Sequence, residues 1–339
     1  MNEMIFIDVS GFFASGSSAV VDFLKELDGF YECSAEVRLI KDPYGISHLE
    51  TELVDHWDLI NSTAAVSDYL DFCKKCSRNG KGLFAPAGLG YSKTISKDFM
   101  EITERYITAL SDYTYKQDFY YHKFKKSYFK YVIDRWRWAV EYLSKGKLKT
   151  ANRNLKPCYF AKPSREKFEL ETKKYLKELF KDHVKGSNCH IILDQAVSPN
   201  NTQVIHKYFD NAKMIIIDRD PRDMYADDLR WGVNYDHDYR TGEAGKRYAL
   251  RQRALRSNMV LDDDVLYIRF EDLVLQYETT TNKILEFLGL PASAHINKKK
   301  YFNPSISSKN IGIWHNYEDE CKDAFEAISE GCPELLFRQ

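Results

Sequence analysis

Met4-Ile-Phe-Ile-Asp-Val9, then Gly11-Phe-Phe-Ala-Ser-Gly-Ser-Ser18, then Ala19-Val-Val-Asp-Phe-Leu24 is the stretch that decides how this chain folds. The first run is apolar, rich in β-branched residues and of the length of a buried strand. The last opens an amphipathic helix, so the small residues between them fall on a strand-to-helix turn. Such a turn aims backbone N–H groups at an anion beyond the strand end. Gly11 and Gly16 carry no Cβ to block close approach, and the Ser17 and Ser18 hydroxyls with the helix N-terminus favour phosphate or sulfonate oxygens. The spacing is that of the phosphate loop G-x-x-x-x-G-K-[ST], with Ser17 standing where lysine belongs. Without that point charge an ordinary ATP or GTP hydrolase is disfavoured, because the lysine supplies much of the electrostatic stabilisation in phosphoryl transfer.

A second segment matches the first. Lys213-Met-Ile-Ile-Ile-Asp218 reads as a strand of a parallel sheet, and Arg219-Asp-Pro-Arg-Asp223 follows at its carboxyl end, where open α/β sheets bind ligands. Two arginines there suit a phosphate; the competing reading is that Arg219 and Arg222 only pair with Asp220 and Asp223 around a helix start. Residues 97–185 read as largely helical, with breaks near Gly146 and Pro157, and from Cys189 the β-α-β pattern returns. The expectation is one α/β domain over residues 1–339, P-loop-like and three-layered (α/β/α) around a central parallel sheet built from 1–60 and 188–315. Residues 61–187 form an inserted helical, aromatic-rich cap on the acceptor side.

This combination resembles the sulfotransferases that use 3′-phosphoadenosine 5′-phosphosulfate (PAPS). Ser15-Gly16-Ser17-Ser18 is similar to the family loop that holds the 5′-phosphosulfate, and Arg219-Asp-Pro-Arg-Asp223 to the segment that holds the 3′-phosphate. Val265-Leu-Tyr-Ile-Arg-Phe-Glu-Asp-Leu273 resembles the family's later strand, and Ser308-Lys-Asn-Ile-Gly-Ile-Trp-His315 its C-terminal segment that folds over the nucleotide. The resemblance implies donor contacts from Ala14, Ser15, Gly16, Ser17, Ser18, Arg219, Asp227, Phe270, Lys309, Gly312 and Trp314, with Phe270 or Trp314 beside the adenine. It departs at Ala14, where the family has a basic residue, at Asp227, where it has a phosphate-binding serine, and at Gln195 and His315, where it has cations. Ser34-Ala-Glu-Val-Arg-Leu-Ile40 resembles the base segment of the tyrosylprotein sulfotransferases, which implies Glu36 as general base assisted by Arg38. The alternative is an ordinary Glu–Arg surface pair; His48 and His56 are the next candidate bases, and Lys41 an auxiliary cation.

Composition bounds this reading without selecting it. A net charge of −1 gives no global preference for nucleic acid. No apolar run reaches membrane-spanning length and the start has no basic region before its apolar stretch, so a cytoplasmic protein is expected. The seven cysteines are odd in number and scattered, and Cys73-Lys-Lys-Cys76 is the only C-x-x-C, so reduced thiols and no metal are expected. The cap interleaves Tyr113, Tyr115, Phe119, Tyr121, Phe124, Tyr128, Tyr131, Trp136 and Trp138 with lysines and arginines. One reading packs Phe124, Tyr128, Tyr131 and Trp138 on the core; the other makes an acceptor surface for an anionic glycan. Sulfonyl transfer from PAPS to a hydroxyl of a carbohydrate or glycoconjugate, without metal, is the function expected. A non-catalytic nucleotide-binding module and an atypical P-loop kinase are the alternatives.

Overall fold

The computed structural model describes residues 3–32, 36–80, 85–117, 119, 121–124, 127–148, 156–184, 188–232 and 238–338. Its strands are β1 (Glu3–Gly11), β2 (Phe30–Glu32), β3 (Tyr113–Gln117), β4 (Lys156–Phe160), β5 (Asn188–Asp194), β6 (Ala212–Asp218) and β7 (Val265–Arg269). Its helices are α1 (Ser17–Leu24), α2 (Ile46–Glu50), α3 (Leu59–Ser77), α4 (Tyr91–Thr94), α5 (Phe99–Leu110), α6 (Tyr121–Phe124), α7 (Tyr128–Leu143), α8 (Arg165–Phe180), α9 (Val204–Tyr208), α10 (Pro221–Trp231), α11 (Gly242–Arg256), α12 (Phe270–Leu275), α13 (Tyr277–Phe287), α14 (Pro304–Ser307) and α15 (Glu318–Gly331).

Five strands form a parallel sheet in the order β2-β5-β1-β6-β7. Strand alternation sorts their side chains into two cores. Ile7, Val9, Ile215, Ile217 and Ile268 pack with Val20, Phe23 and Leu24 of α1 and with Leu273 and Ile284. Phe6, Met214 and Ile216 point the other way, into a core with Tyr69, Phe99, Phe168 and Phe180 from α3, α5 and α8. The result is the expected three-layer α/β/α arrangement. β1 lies between β5 and β6, so the chain leaves the sheet in opposite directions on its two sides. The loops after these three strands converge at the carboxyl ends, where such a switch in strand order leaves a crevice.

The region 61–187 holds more than helices. β3 and β4 form an antiparallel pair, Tyr113 opposite Phe160 and Gln117 opposite Lys156, with the Tyr113 and Phe160 rings stacked 4.8 Å apart. The alternation Tyr113-Thr-Tyr-Lys-Gln117 is the strand signal within a stretch read as helical. Deeper in, Tyr69, Tyr106 and Tyr175 of α3, α5 and α8 satisfy their hydroxyls among themselves and with Thr103 and Thr172 at 2.7–3.1 Å. Cys73 and Cys76 are buried in α3, and burial pushes the Cys76 thiol up to about 12 and that of Cys73 higher still. Cys33 lies outside the described residues. Among the described residues no helix is long and apolar enough to cross a membrane.

Candidate active site

The turn after β1 is a strained, internally stapled loop. Phe13 and Ala14 take left-handed backbone angles (φ 38° and 54°), which non-glycine residues seldom adopt. The Phe12 N–H donates to Ser15 Oγ at 2.9 Å, so the buried Ser15 hydroxyl closes the loop as an acceptor and keeps its own O–H as a donor. Gly16 (φ 94°) caps α1, and a Cβ there would lie 2.6 Å from the Phe270 ring. Ser17 and Ser18 occupy the first turn of α1. Gln195, itself at φ 62°, donates to Ser17 Oγ at 3.0 Å and accepts from Lys41 Nζ at 2.9 Å. Lys41 thereby comes next to the loop in which Ala14 supplies no cation, and burial holds its ammonium below the usual lysine range.

The second half of the cleft is built on Arg219, whose side chain is 3% exposed. Its Nη1 donates to Ala14 O at 2.9 Å and to Asp227 Oδ2 at 2.6 Å, its Nη2 to Asn310 O, and its guanidinium lies 5.3 Å from the Phe270 ring centroid. Its Nε is buried without a partner. Asp227 therefore sits on the cation expected to take the 3′-phosphate. Arg222 makes a two-pronged pair with Asp220, the N-cap of α10, at 2.7 and 3.0 Å, which is the local pairing weighed above.

Arg219, Asp227 and Phe270 line a cleft of about 510 Å³ with Phe13 to Ala19, Gln195, Tyr301, Phe302, Asn303, Ile306 and Asn310. Lys309, Gly312 and Trp314 are not in its lining. Asp223 explains the difference: its carboxylate accepts from the Gly312 and Trp314 N–H groups at 2.8 and 3.2 Å and draws that segment onto α10. The Trp314 ring then packs among Arg222, His315 and Phe325, while Lys309 is exposed. Of the two aromatic residues expected beside the adenine, Phe270 lines the cleft and Trp314 does not.

A second cavity of about 430 Å³ is lined by Phe12, Phe13, Ala14, Ser17, Glu36, Arg38, Lys41, Asp42, Gln195 and Asn200. It shares Phe13, Ala14, Ser17 and Gln195 with the first. Among the described residues, none of 61–187 contributes to this lining. Glu36 and Arg38 pair with each other, and Arg38 Nε donates to Asp42 Oδ2 at 2.7 Å. Their backbone is held from two sides. The Val37 N–H donates to Asp194 O at the end of β5 (2.7 Å), and the fully buried Tyr91 accepts from Arg38 N and donates to Glu36 O, both at 2.8 Å. His48 and His56 lie outside the lining, His48 edge-on to Tyr44. Ser34 and Ala35 fall outside the described residues.

Beneath this cavity Asp8 is fully buried, and burial pushes its carboxyl up to about 7 against the pull of Ser10, Lys41 and two amides. Its Oδ1 accepts from the Ala196 and Val197 N–H groups at 2.9 and 3.4 Å, and its Oδ2 lies 2.8 Å from Ser10 Oγ. Ser10 Oγ is also 2.6 Å from Val197 O, so a protonated Asp8 can donate to Ser10 while Ser10 donates to Val197. Burial, with Glu36 and Glu32 nearby, likewise raises Asp194 to about 6. Behind the wall of the first cleft, Glu26 is buried just past the end of α1. It accepts from the N–H groups of Lys299, Tyr301 and Phe302 at 2.8–2.9 Å and lies 2.7 Å from His295 Nε2, which fixes the loop that carries Tyr301 and Phe302. Asp8, Glu26, Tyr91 and the Gln195 bridge escaped the sequence reading; only the polar Asp8 and Ser10 inside an apolar strand gave a signal.

The sequence profile described as the Sulfotransferase family matches residues 90–294. The chain belongs to the sulfotransferase family. No curated protein matches this family member in sequence. Among solved structures it is similar to the sulfotransferase domain of the Synechococcus PCC 7002 olefin synthase, at 15% identity over 96% of this chain and 93% of that one, with a TM-score of 0.37. The sulfotransferase domain from the curacin biosynthetic pathway is 13% identical over 99% of both chains, with a TM-score of 0.39. Retinol dehydratase, solved with androsterone and the inactive cofactor PAP, is 12% identical over 99% of this chain and 82% of that one, with a TM-score of 0.33.

Proposed function

We propose that this sulfotransferase-family chain moves a sulfonyl group from PAPS to a hydroxyl of a carbohydrate or glycoconjugate, with Glu36 as general base. The observation that carries the reading is the meeting of two cavities at Ala14, Ser17 and Gln195, with Arg219 in one and Glu36 in the other. The nucleotide would lie along the first, its phosphosulfate at the turn after β1 and its adenine beside Phe270. The acceptor would enter the second. In an in-line displacement the acceptor oxygen forms a bond to sulfur as the bond from sulfur to the phosphate oxygen breaks, and Glu36 takes the hydroxyl proton. Lys41, joined to Ser17 through Gln195, offsets charge on the transferring group in place of the basic residue missing at Ala14. A cavity lined by Glu36, Arg38, Asp42 and Asn200 offers both donors and acceptors, which suits a polyhydroxylated acceptor.

One observation favours the non-catalytic module instead: Asp227 already neutralises Arg219. Isothermal titration with 3′,5′-adenosine bisphosphate, followed by transfer of labelled sulfonate from PAPS to a panel of sugars, tests both readings. Binding with transfer supports the enzyme, binding without transfer to any acceptor supports the module, and no binding at millimolar bisphosphate removes the PAPS assignment.

A further inference from the structure

α7 has no buried residue, although most of its sixteen residues are apolar or aromatic. Phe129, Ile133, Trp136, Val140 and Leu143 recur at intervals of four and three, which lines them up on one helix face, and all five are exposed, Phe129 at 80%, Trp136 at 71% and Leu143 at 79%. At 100° per residue Tyr128 borders that face, whereas Tyr142 and Trp138 fall on the opposite side of the helix; all three are exposed. The expectation that Tyr128 and Trp138 pack on the core is thus not met, and the Phe124 side chain lies outside the described residues. α7 belongs to an excursion that leaves the β3–β4 ribbon at Gln117 and returns at Lys156, residues that pair with each other.

Charge selects what covers this face. Residues 123–149 hold nine Lys or Arg (123, 125, 126, 130, 135, 137, 145, 147 and 149) against Asp134 and Glu141, a net +7 within a chain of net −1. A second copy of the chain would bring +7 against +7. A nucleic acid would use the cations and leave the row of large apolar side chains in water. An anionic lipid surface uses both: aliphatic and Phe side chains enter the acyl boundary, Trp and Tyr sit at headgroup depth, and lysines meet the anionic headgroups. We infer that α7 is an in-plane membrane anchor, docking the protein on anionic lipid with its Phe129–Leu143 face inserted. The inference holds whatever the reaction of the donor cleft.

The test is co-sedimentation of the full chain with vesicles of phosphatidylcholine alone or mixed with phosphatidylserine, alongside tryptophan emission. Binding is expected to the mixed vesicles with a blue shift, at least about tenfold weaker to phosphatidylcholine, and weakened again by molar salt. The double variant Phe129→Asp/Trp136→Asp alters only exposed residues and is expected to keep the unfolding midpoint while losing vesicle binding. The triple variant Lys130→Gln/Lys145→Gln/Lys147→Gln, at exposed positions, is expected to bind at least several-fold more weakly, which reports charge with the five apolar side chains intact. No binding to the mixed vesicles, equal binding to both kinds, or a stable dimer that the Asp variant dissociates would each overturn the inference.

Discussion

Replacing Asp227 with Asn should tighten binding of 3′,5′-adenosine bisphosphate and leave that of 5′-AMP nearly unchanged. Asp227 Oδ2 is 2.6 Å from Arg219 Nη1, and neither side chain is widely exposed (16% and 3%). A 3′-phosphate that reaches the same guanidinium therefore comes within about 4 Å of a carboxylate, a repulsion worth roughly 1–4 kcal/mol per unit charge for effective dielectric constants of about 80 to 20. Taking about 2 kcal/mol for this partly open cleft, the Asn variant should bind the bisphosphate about 30-fold more tightly. Asn keeps an oxygen that can accept from Arg219, so the guanidinium stays in place. Titration calorimetry of both ligands against both proteins gives a ratio of ratios from which general effects on folding cancel. An unchanged or weaker bisphosphate affinity in the Asn variant would refute the reasoning, and a parallel gain for 5′-AMP would show that the effect does not come from the 3′ position.

Glu36→Gln keeps shape while removing basicity, so turnover should fall by roughly two to four orders of magnitude with bisphosphate affinity retained; wild-type turnover in a chemistry-limited assay would discard Glu36 as base. Lys41→Met should lower turnover by about 10²-fold, a typical loss for one group aimed at developing charge, and a change confined to acceptor KM would assign Lys41 to binding instead. Asp8 is held up to about 7 against an ordinary value of 3.8, so the native state binds its proton more tightly than the unfolded chain does. Its stabilising contribution is complete below about pH 4 and is lost as the pH rises through about 7. Urea midpoints of Asp8→Asn should show a flatter dependence across that window than wild type; identical slopes would mean that Asp8 is not the titrating group.

What was legible in the sequence is what depends on local pattern. The apolar runs of β1 and β6, each ending in a small-residue or arginine turn, declare a parallel sheet with a crevice at its carboxyl edge, because strand period and turn chemistry are properties of neighbours in the chain. The bridge from Lys41 through Gln195 to Ser17 joins three distant segments and rests on a left-handed backbone at Gln195, which no residue-type preference announces. Trp314 shows the complementary difficulty. Its identity marks an aromatic wall, but its direction is set by Asp223 gripping the backbone around it. Ser15 likewise has the right chemistry for a phosphate ligand, and its second task, accepting from the Phe12 N–H to close the loop, is set by a backbone turn that residue type does not announce.

The clamp at Glu26 bears on the entropy of nucleotide binding. A loop such as 295–303, with a short bridge at His295 and helix only from Pro304, would ordinarily lose conformational freedom when a ligand orders it, at about 1–2 kcal/mol per residue fixed. Here three of its N–H groups already end on one buried carboxylate. That carboxylate lies just past the end of α1, whose N-terminus is at the turn after β1, so two walls of the cleft are tied together. On the proposed donor reading the ordering cost is met at folding rather than at binding, and a nucleotide would enter a cradle whose shape does not wait for it.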